Sequence, residues 1–102
     1  MSVLVNFAIF PTDSGTSVSK YVSKVIQMIS ESGYEYKLNP MGTSIETETM
    51  KEALKIIEDS YKIVDDHERV YCVANFDIQK DKSNRILSKI KSIEEKIGEV
   101  KK

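Results

Sequence analysis

One histidine, His67, and one cysteine, Cys72, limit the catalytic chemistry this chain of 102 residues can offer. A serine or cysteine nucleophile needs a nearby base. His67 follows Asp65-Asp66 at a helix end, where a cation suits the dipole, so capping is the reading it favours over catalysis. Asp65, Asp66, His67 and Glu68 are adjacent and cannot all aim at one ion from a helix end, so adventitious metal binding is the most that is expected of them. Cys72 falls on an apolar strand face and reads as an inert core residue. The four glycines, at 15, 33, 42 and 98, are too scattered for a phosphate loop. The five tyrosines have structural positions in strands and on helix faces. No catalytic residue, metal or cofactor is expected, and the chain is not read as an enzyme.

Polar residues inside apolar faces carry more information. Asn6, Glu46 and Asn75 fall by alternation on one face of three different strands. A buried amide or carboxylate left unpaired costs roughly 1–3 kcal/mol, so each must find a partner. A small polar ligand is one such partner. The plainer alternative is that these groups satisfy one another, or a water, across a subunit interface.

The elements that must position them are legible from pattern. Residues 3–10 form a strand ending at the loop Pro11-Thr12-Asp13-Ser14-Gly15. Val18, Val22, Val25 and Ile29 then step at helical spacing, widened by Tyr21 and Ile26. Thr16 or Ser17 caps that helix, and Gly33 takes the left-handed position after it. Tyr34, Tyr36 and Leu38 alternate with Glu35, Lys37 and Asn39 as a half-buried strand. Pro40-Met41-Gly42 turns into a third strand, residues 43–48. Thr49 and Glu52 form a capping box for a helix with Met50, Ala53, Leu54, Ile57, Tyr61 and Val64 inward. A fourth strand covers residues 69–78, and Ser83 caps a last helix bearing Ile86, Ile90, Ile93 and Ile97.

The order is β-α-β-β-α-β plus a C-terminal helix, the split pattern of the ferredoxin-like α+β fold in one domain, residues 1–102. Helices are expected on one face of its antiparallel sheet. The other face, Leu4, Asn6, Ala8 and Phe10 with Tyr71, Val73, Asn75 and Asp77, is too apolar for water. A partner sheet is its simplest cover, which predicts a homo-oligomer with a symmetric dimer as unit. The isoleucine ladder of the last helix suits helix-on-helix packing or packing on its own sheet, and the spacing does not choose between them.

Composition narrows the partners further. Fifteen basic and sixteen acidic residues leave a net charge of -1, without the basic excess that nucleic acid or a membrane surface requires. A single cysteine excludes an intrachain disulfide, and no run reaches transmembrane length. A reducing compartment, the cytoplasm, is the expected location.

At Asn39-Pro40-Met41-Gly42-Thr43-Ser44-Ile45-Glu46 the sequence resembles the thiamine-binding protein family, related to the YkoF-like domains. The hallmark is a Pro-Met-Gly-Thr-x-Ile-Glu turn and strand. Pro11, the Ser-x-Tyr-Val of residues 19–22 and the Ser-Gly-x-x-Tyr of residues 32–36 agree with it, so the resemblance runs from Val3 to about Ile97. It implies a ferredoxin-like fold and dimers that pair sheets into tetramers. It also implies binding of thiamine or its hydroxymethylpyrimidine part, without an established reaction. By position Thr43, Ser44 and Glu46 inherit the motif, with Asn6 and Asn75 beside them as ligand-binding residues. Glu46 would pair with the aminopyrimidine, and Tyr36 or Tyr71 would stack on the thiazolium. The fourth strand departs from the family, whose members tend to read Ile-Lys-Ile-Asp followed by an arginine. Asn75 and Gln79 stand at those basic positions here, and Thr47 replaces a glycine after Glu46. An Asn beside Glu46 is expected to leave the pocket more negative, which suits a cation. The competing reading is a structural or regulatory homo-oligomeric module with no vitamin ligand.

Overall fold

Alternation along the first strand sets the plan of the molecule. In β1 (Ser2–Pro11), Val3, Val5, Phe7 and Ile9 are buried, while Leu4, Asn6, Ala8 and Phe10 are only half-buried. The computed structural model describes residues 1–13 and 19–100, without the side chain of Lys89. The expected cap at Thr16 or Ser17, the loop residues Ser14 and Gly15, and Val18 lie outside the described residues.

Six further elements follow: α1 (Ser19–Glu31), β2 (Glu35–Asn39), β3 (Gly42–Thr47), α2 (Met50–Val64), β4 (Val70–Gln79) and α3 (Arg85–Ile97). The strands form one sheet in the order β2-β3-β1-β4, antiparallel at every pairing. This is the ferredoxin-like βαββαβ arrangement with an added helix, as the pattern implied.

Directly opposed residues of an antiparallel pair share a face. Val5 opposes Ile45 and Phe76, so the odd residues of β1 and β3 and the even residues of β4 form one side. Helices α1 and α2 cover it, closing a core of Val3, Val5, Phe7, Ile9, Val25, Ile29, Ile45, Ala53, Ile56 and Val64. The capping box at the start of α2 is present, with Glu52 N–H donating to Thr49 Oγ1 at 3.1 Å and Thr49 N–H donating to Glu52 Oε1 at 3.0 Å. Gly33 adopts φ +86° after α1, the left-handed conformation expected of it. The hairpin between β2 and β3 is closed by two residues, Pro40 and Met41, with Asn39 Oδ1 accepting from Met41 N–H at 3.0 Å.

Several expectations are corrected. The inward face of α2 is Ala53, Ile56, Ser60 and Val64, while Leu54 and Tyr61 are about half exposed. Ser60 disguises that face in the sequence, because its hydroxyl donates to the Ile56 carbonyl at 2.8 Å and so tolerates full burial. Cys72 is exposed rather than in the core. It points to the helix side, opposite Ile9, but β4 is an edge strand that the two helices do not reach across. The ring of His67 does not cap α2; its Nδ1 lies 2.9 Å from Asp13 Oδ1, and it packs perpendicular to the Tyr21 ring with centroids 4.7 Å apart. The backbone N–H of His67 does bond the Val64 carbonyl, at 3.2 Å.

The last helix takes one of the two packings that its spacing left open. Helix α3 crosses to the opposite side of the sheet and packs on β3, β1 and β2 of its own chain. Ile86 is buried and Ile90 half-buried there, while Ile93 and Ile97 are exposed. Thus one end of the open face is covered from within the subunit, not by a partner sheet. The cap is also different: Asn84, not Ser83, precedes the helix, in a left-handed conformation with φ 53° and no side-chain bond. Among the described residues, no helix is long and apolar enough to cross a membrane.

Candidate functional site

The hairpin register decides what meets on the open face. Two turn residues bring Asn39 opposite Gly42, so Lys37 stands opposite Ser44. Ser44 in turn opposes Asn6, and Asn6 opposes Asn75. Lys37, Ser44, Asn6 and Asn75 therefore form one polar row across all four strands. At about 4.8 Å per strand the row spans roughly 14 Å. Leu4 lies on one side of it; Ala8, Phe10, Tyr71 and Val73 lie on the other, with the Phe10 and Tyr71 rings 5.8 Å apart. The Ser44 hydroxyl donates to Asn6 Oδ1 at 3.2 Å. That bond leaves the Asn6 amide N–H groups for another acceptor.

Glu46 sits on the same face, one pleat further along β3, but it is already engaged. It accepts from the Ser2 hydroxyl at 2.6 Å, from Arg85 N–H at 3.0 Å and from Ile86 N–H at 3.3 Å. The last two are orphan donors of the first turn of α3, so Glu46 caps that helix from the sheet. Burial alone would raise the Glu46 carboxyl; the bonds from Ser2, Arg85 and Ile86 and the nearby guanidinium outweigh it and hold it below its ordinary value.

Arg85 completes this knot. The residue is 3% exposed, and its guanidinium donates to Ser2 Oγ at 2.9 Å, to Gln79 Oε1 at 3.3 Å, and to the carbonyls of Ser2 and Asp77. Its Nη1 also pairs with Asp77 Oδ2 at 2.8 Å. A cation that the fourth strand lacks at Gln79 thus arrives from α3. Asn75 does not stand beside Glu46, whose strand neighbours are Leu4 and Glu35. The expectation of a face depleted of positive charge gives way to one carrying Lys37 and Arg85.

Of the sequence-derived site residues, Asn6, Ser44 and Asn75 come together and Glu46 lies nearby on the same face. Thr43 is on the opposite side, 5% exposed and opposed to Phe7. It lines a mainly apolar cavity of about 200 Å³ with Phe7, Ile9, Val25, Leu38 and Met41. Tyr36 also faces the helix side, opposite Ile45. Tyr71 is on the open face. Ser2, Lys37 and Arg85 were missed in the sequence. Lys37 was in principle findable, since the hairpin length aligns it with Ser44. Arg85 was not, because its position depends on α3 folding back over the sheet. Among the described residues, no group of three or more His, Cys, Asp or Glu side chains is arranged to hold a metal ion.

A four-stranded βαββαβ sheet with two helices on one side and a polar row on the other defines a small ferredoxin-like protein. The sequence profile of the thiamine-binding protein family matches residues 5–94, and the chain belongs to that family. It is 35% identical over 94 residues to the UPF0045 protein MJ1052 of Methanocaldococcus jannaschii, across 91% of this chain and 93% of that one. A UPF0045 protein of Methanothermobacter thermautotrophicus is 27% identical over 84 residues, covering 80% of this chain and 85% of its own length. The crystal structure of MJ1052 superposes with a TM-score of 0.79 over 92% of this chain and 97% of that one. A Thermotoga maritima protein described as a candidate for thiamine biosynthesis or salvage superposes with a TM-score of 0.77 at 17% identity, covering 91% and 99% of the two chains. At that identity the likeness concerns the fold.

Proposed function

We propose that this protein is a non-catalytic cytoplasmic binder of thiamine or its hydroxymethylpyrimidine part, acting as a homodimer or dimer of dimers whose open sheet faces meet. The observation that carries this reading is the row Lys37-Ser44-Asn6-Asn75 set within an apolar face. An aminopyrimidine edge offers ring nitrogens that accept and an amine that donates. The amides of Asn6 and Asn75 and the Ser44 oxygen supply the complementary groups. Family membership supports the ligand class. Glu46 lies one pleat from the row, and its role is to hold α3 rather than to grip the pyrimidine.

Titration calorimetry of ligand-free protein against thiamine and hydroxymethylpyrimidine tests the reading. Saturable binding of both, weakened about tenfold or more in Asn6→Leu, is the expected result. Flat traces for both overturn it. The second reading, an assembly module without a vitamin ligand, is favoured by the engagement of Glu46 and by the exposed Tyr71 and Val73. It predicts that Asn6→Leu leaves the assembly unchanged and that neither compound shifts the melting temperature.

A further inference from the structure

We propose, resting on the reading above, that the open-face site takes its pyrimidine ligand as a phosphate ester, with Lys37 holding the anionic oxygens. Lys37 is half-buried and shares a cavity of about 170 Å³ with Leu4, Ser44, Arg85, Ile86 and Ile90. That is below the roughly 300–1,000 Å³ of pockets for drug-sized ligands, and suits the head of a small molecule whose remainder lies along the polar row. The cavity lining contains no carboxylate.

Two other charges of this face are engaged, while Glu35, opposite Glu46, is exposed. Arg85 is satisfied by Ser2, Gln79 and Asp77, and Glu46 by Ser2 and the first turn of α3. Among the described residues Lys37 has no carboxylate within ion-pair distance. Glu35, exposed, and Glu94, half-buried, line the neighbouring groove with it. Toward the sheet, Lys37 meets Ser44, whose hydrogen is committed to Asn6 Oδ1. The groups left over along the row are then chiefly donors: the Lys37 ammonium and the Asn6 amide N–H groups. Donors with one unspent positive charge select an acceptor-rich anion, and an ammonium on a flexible stem is a common phosphate partner. Two strand spacings separate Lys37 from Asn6, roughly 10 Å, so a pyrimidine at the amides places a one-carbon ester link toward the ammonium.

The test is calorimetry of the full chain with three probes: hydroxymethylpyrimidine, its phosphate monoester and inorganic phosphate. The ester is expected to bind about tenfold or more tightly than the alcohol. Lys37→Met should remove that advantage, while Lys37→Arg should keep it. Lys37 lies on the edge strand β2, so these variants are expected to melt with the native protein, and a matched melting curve confirms it. Equal binding of ester and alcohol, or an advantage that survives Lys37→Met, overturns the phosphate inference alone. Binding of neither organic probe overturns it together with the pyrimidine reading. Inorganic phosphate binding as tightly as the ester has the same consequence, since it leaves an anion site with no use for the ring.

Discussion

Replacing Glu46 by alanine should release α3 from the sheet without unfolding the sheet. The carboxylate accepts three hydrogen bonds, from Ser2, Arg85 N–H and Ile86 N–H, at 2.6, 3.0 and 3.3 Å. Hydrogen bonds to charged groups contribute roughly 1.5–3 kcal/mol each when buried, and a helix cap roughly 0.5–2 kcal/mol. Glu46 is half-buried, so about 1 kcal/mol per bond is the fitting figure, about 3 kcal/mol in all. The apolar hold on α3 is comparable, because only Ile86 is fully covered and Ile90 half-covered. A loss of about 3 kcal/mol corresponds to roughly 100-fold more frequent local opening. The core of Val3, Val5, Phe7 and Ile45 lies on the other face and should keep its protection. Amide hydrogen exchange resolved by element is the assay, comparing residues 87–97 with β1 and β3. The pH dependence has a defined sign. The Glu46 carboxyl sits below its ordinary value of 4.5 when folded, so its stabilisation is complete above that pH and disappears as pH falls through the lowered folded value. The alanine variant should lack this acid-triggered release. Exchange of α3 amides within about threefold of the native protein, or equal acceleration of the sheet amides, would refute the reasoning.

Three further outcomes are expected from the geometry. Ile45 is fully buried, so Ile45→Val should cost roughly 0.5–1.5 kcal/mol and Ile45→Ala roughly 2–5 kcal/mol, read from urea unfolding. Thr49→Ala removes the acceptor of the Glu52 N–H and should cost about 1 kcal/mol, a fall in Tm of roughly 4–8 °C in a domain of this size. At Gly42 an added Cβ would lie 2.8 Å from the Phe7 carbonyl oxygen, so β1 and β3 must part. Gly42→Ala should therefore cost roughly 1–3 kcal/mol in urea unfolding, and an unchanged midpoint would mean that the strands yield freely.

Much of this molecule was set locally and could be read from the chain. The order of elements, the capping box at Thr49, the left-handed Gly33 and the buried side of β1 depend on neighbours within a few residues. The apolar character of the open face was also legible, because alternation reports which side of a strand avoids water. Alternation does not report what covers that side. Whether α3 packs on its own sheet or on another helix depends on contacts between Glu46 and Arg85, 39 residues apart, which no local period encodes. Cys72 shows the same limit: its side of the strand was inferred correctly, but its exposure follows from β4 being at the sheet edge. Ser60 shows the converse, a polar residue accepted inside because the Ile56 carbonyl is one helical turn away. The chemistry of the candidate site divides in the same way. Asn6, Glu46 and Asn75 were placed by parity and Ser44 by the motif, whereas the commitment of Glu46 to a helix terminus and the lack of an ion-pair partner for Lys37 were decided by tertiary packing. Hydrogen-bonding capacity belongs to each residue, but whether it is free depends on what the fold brings next to it.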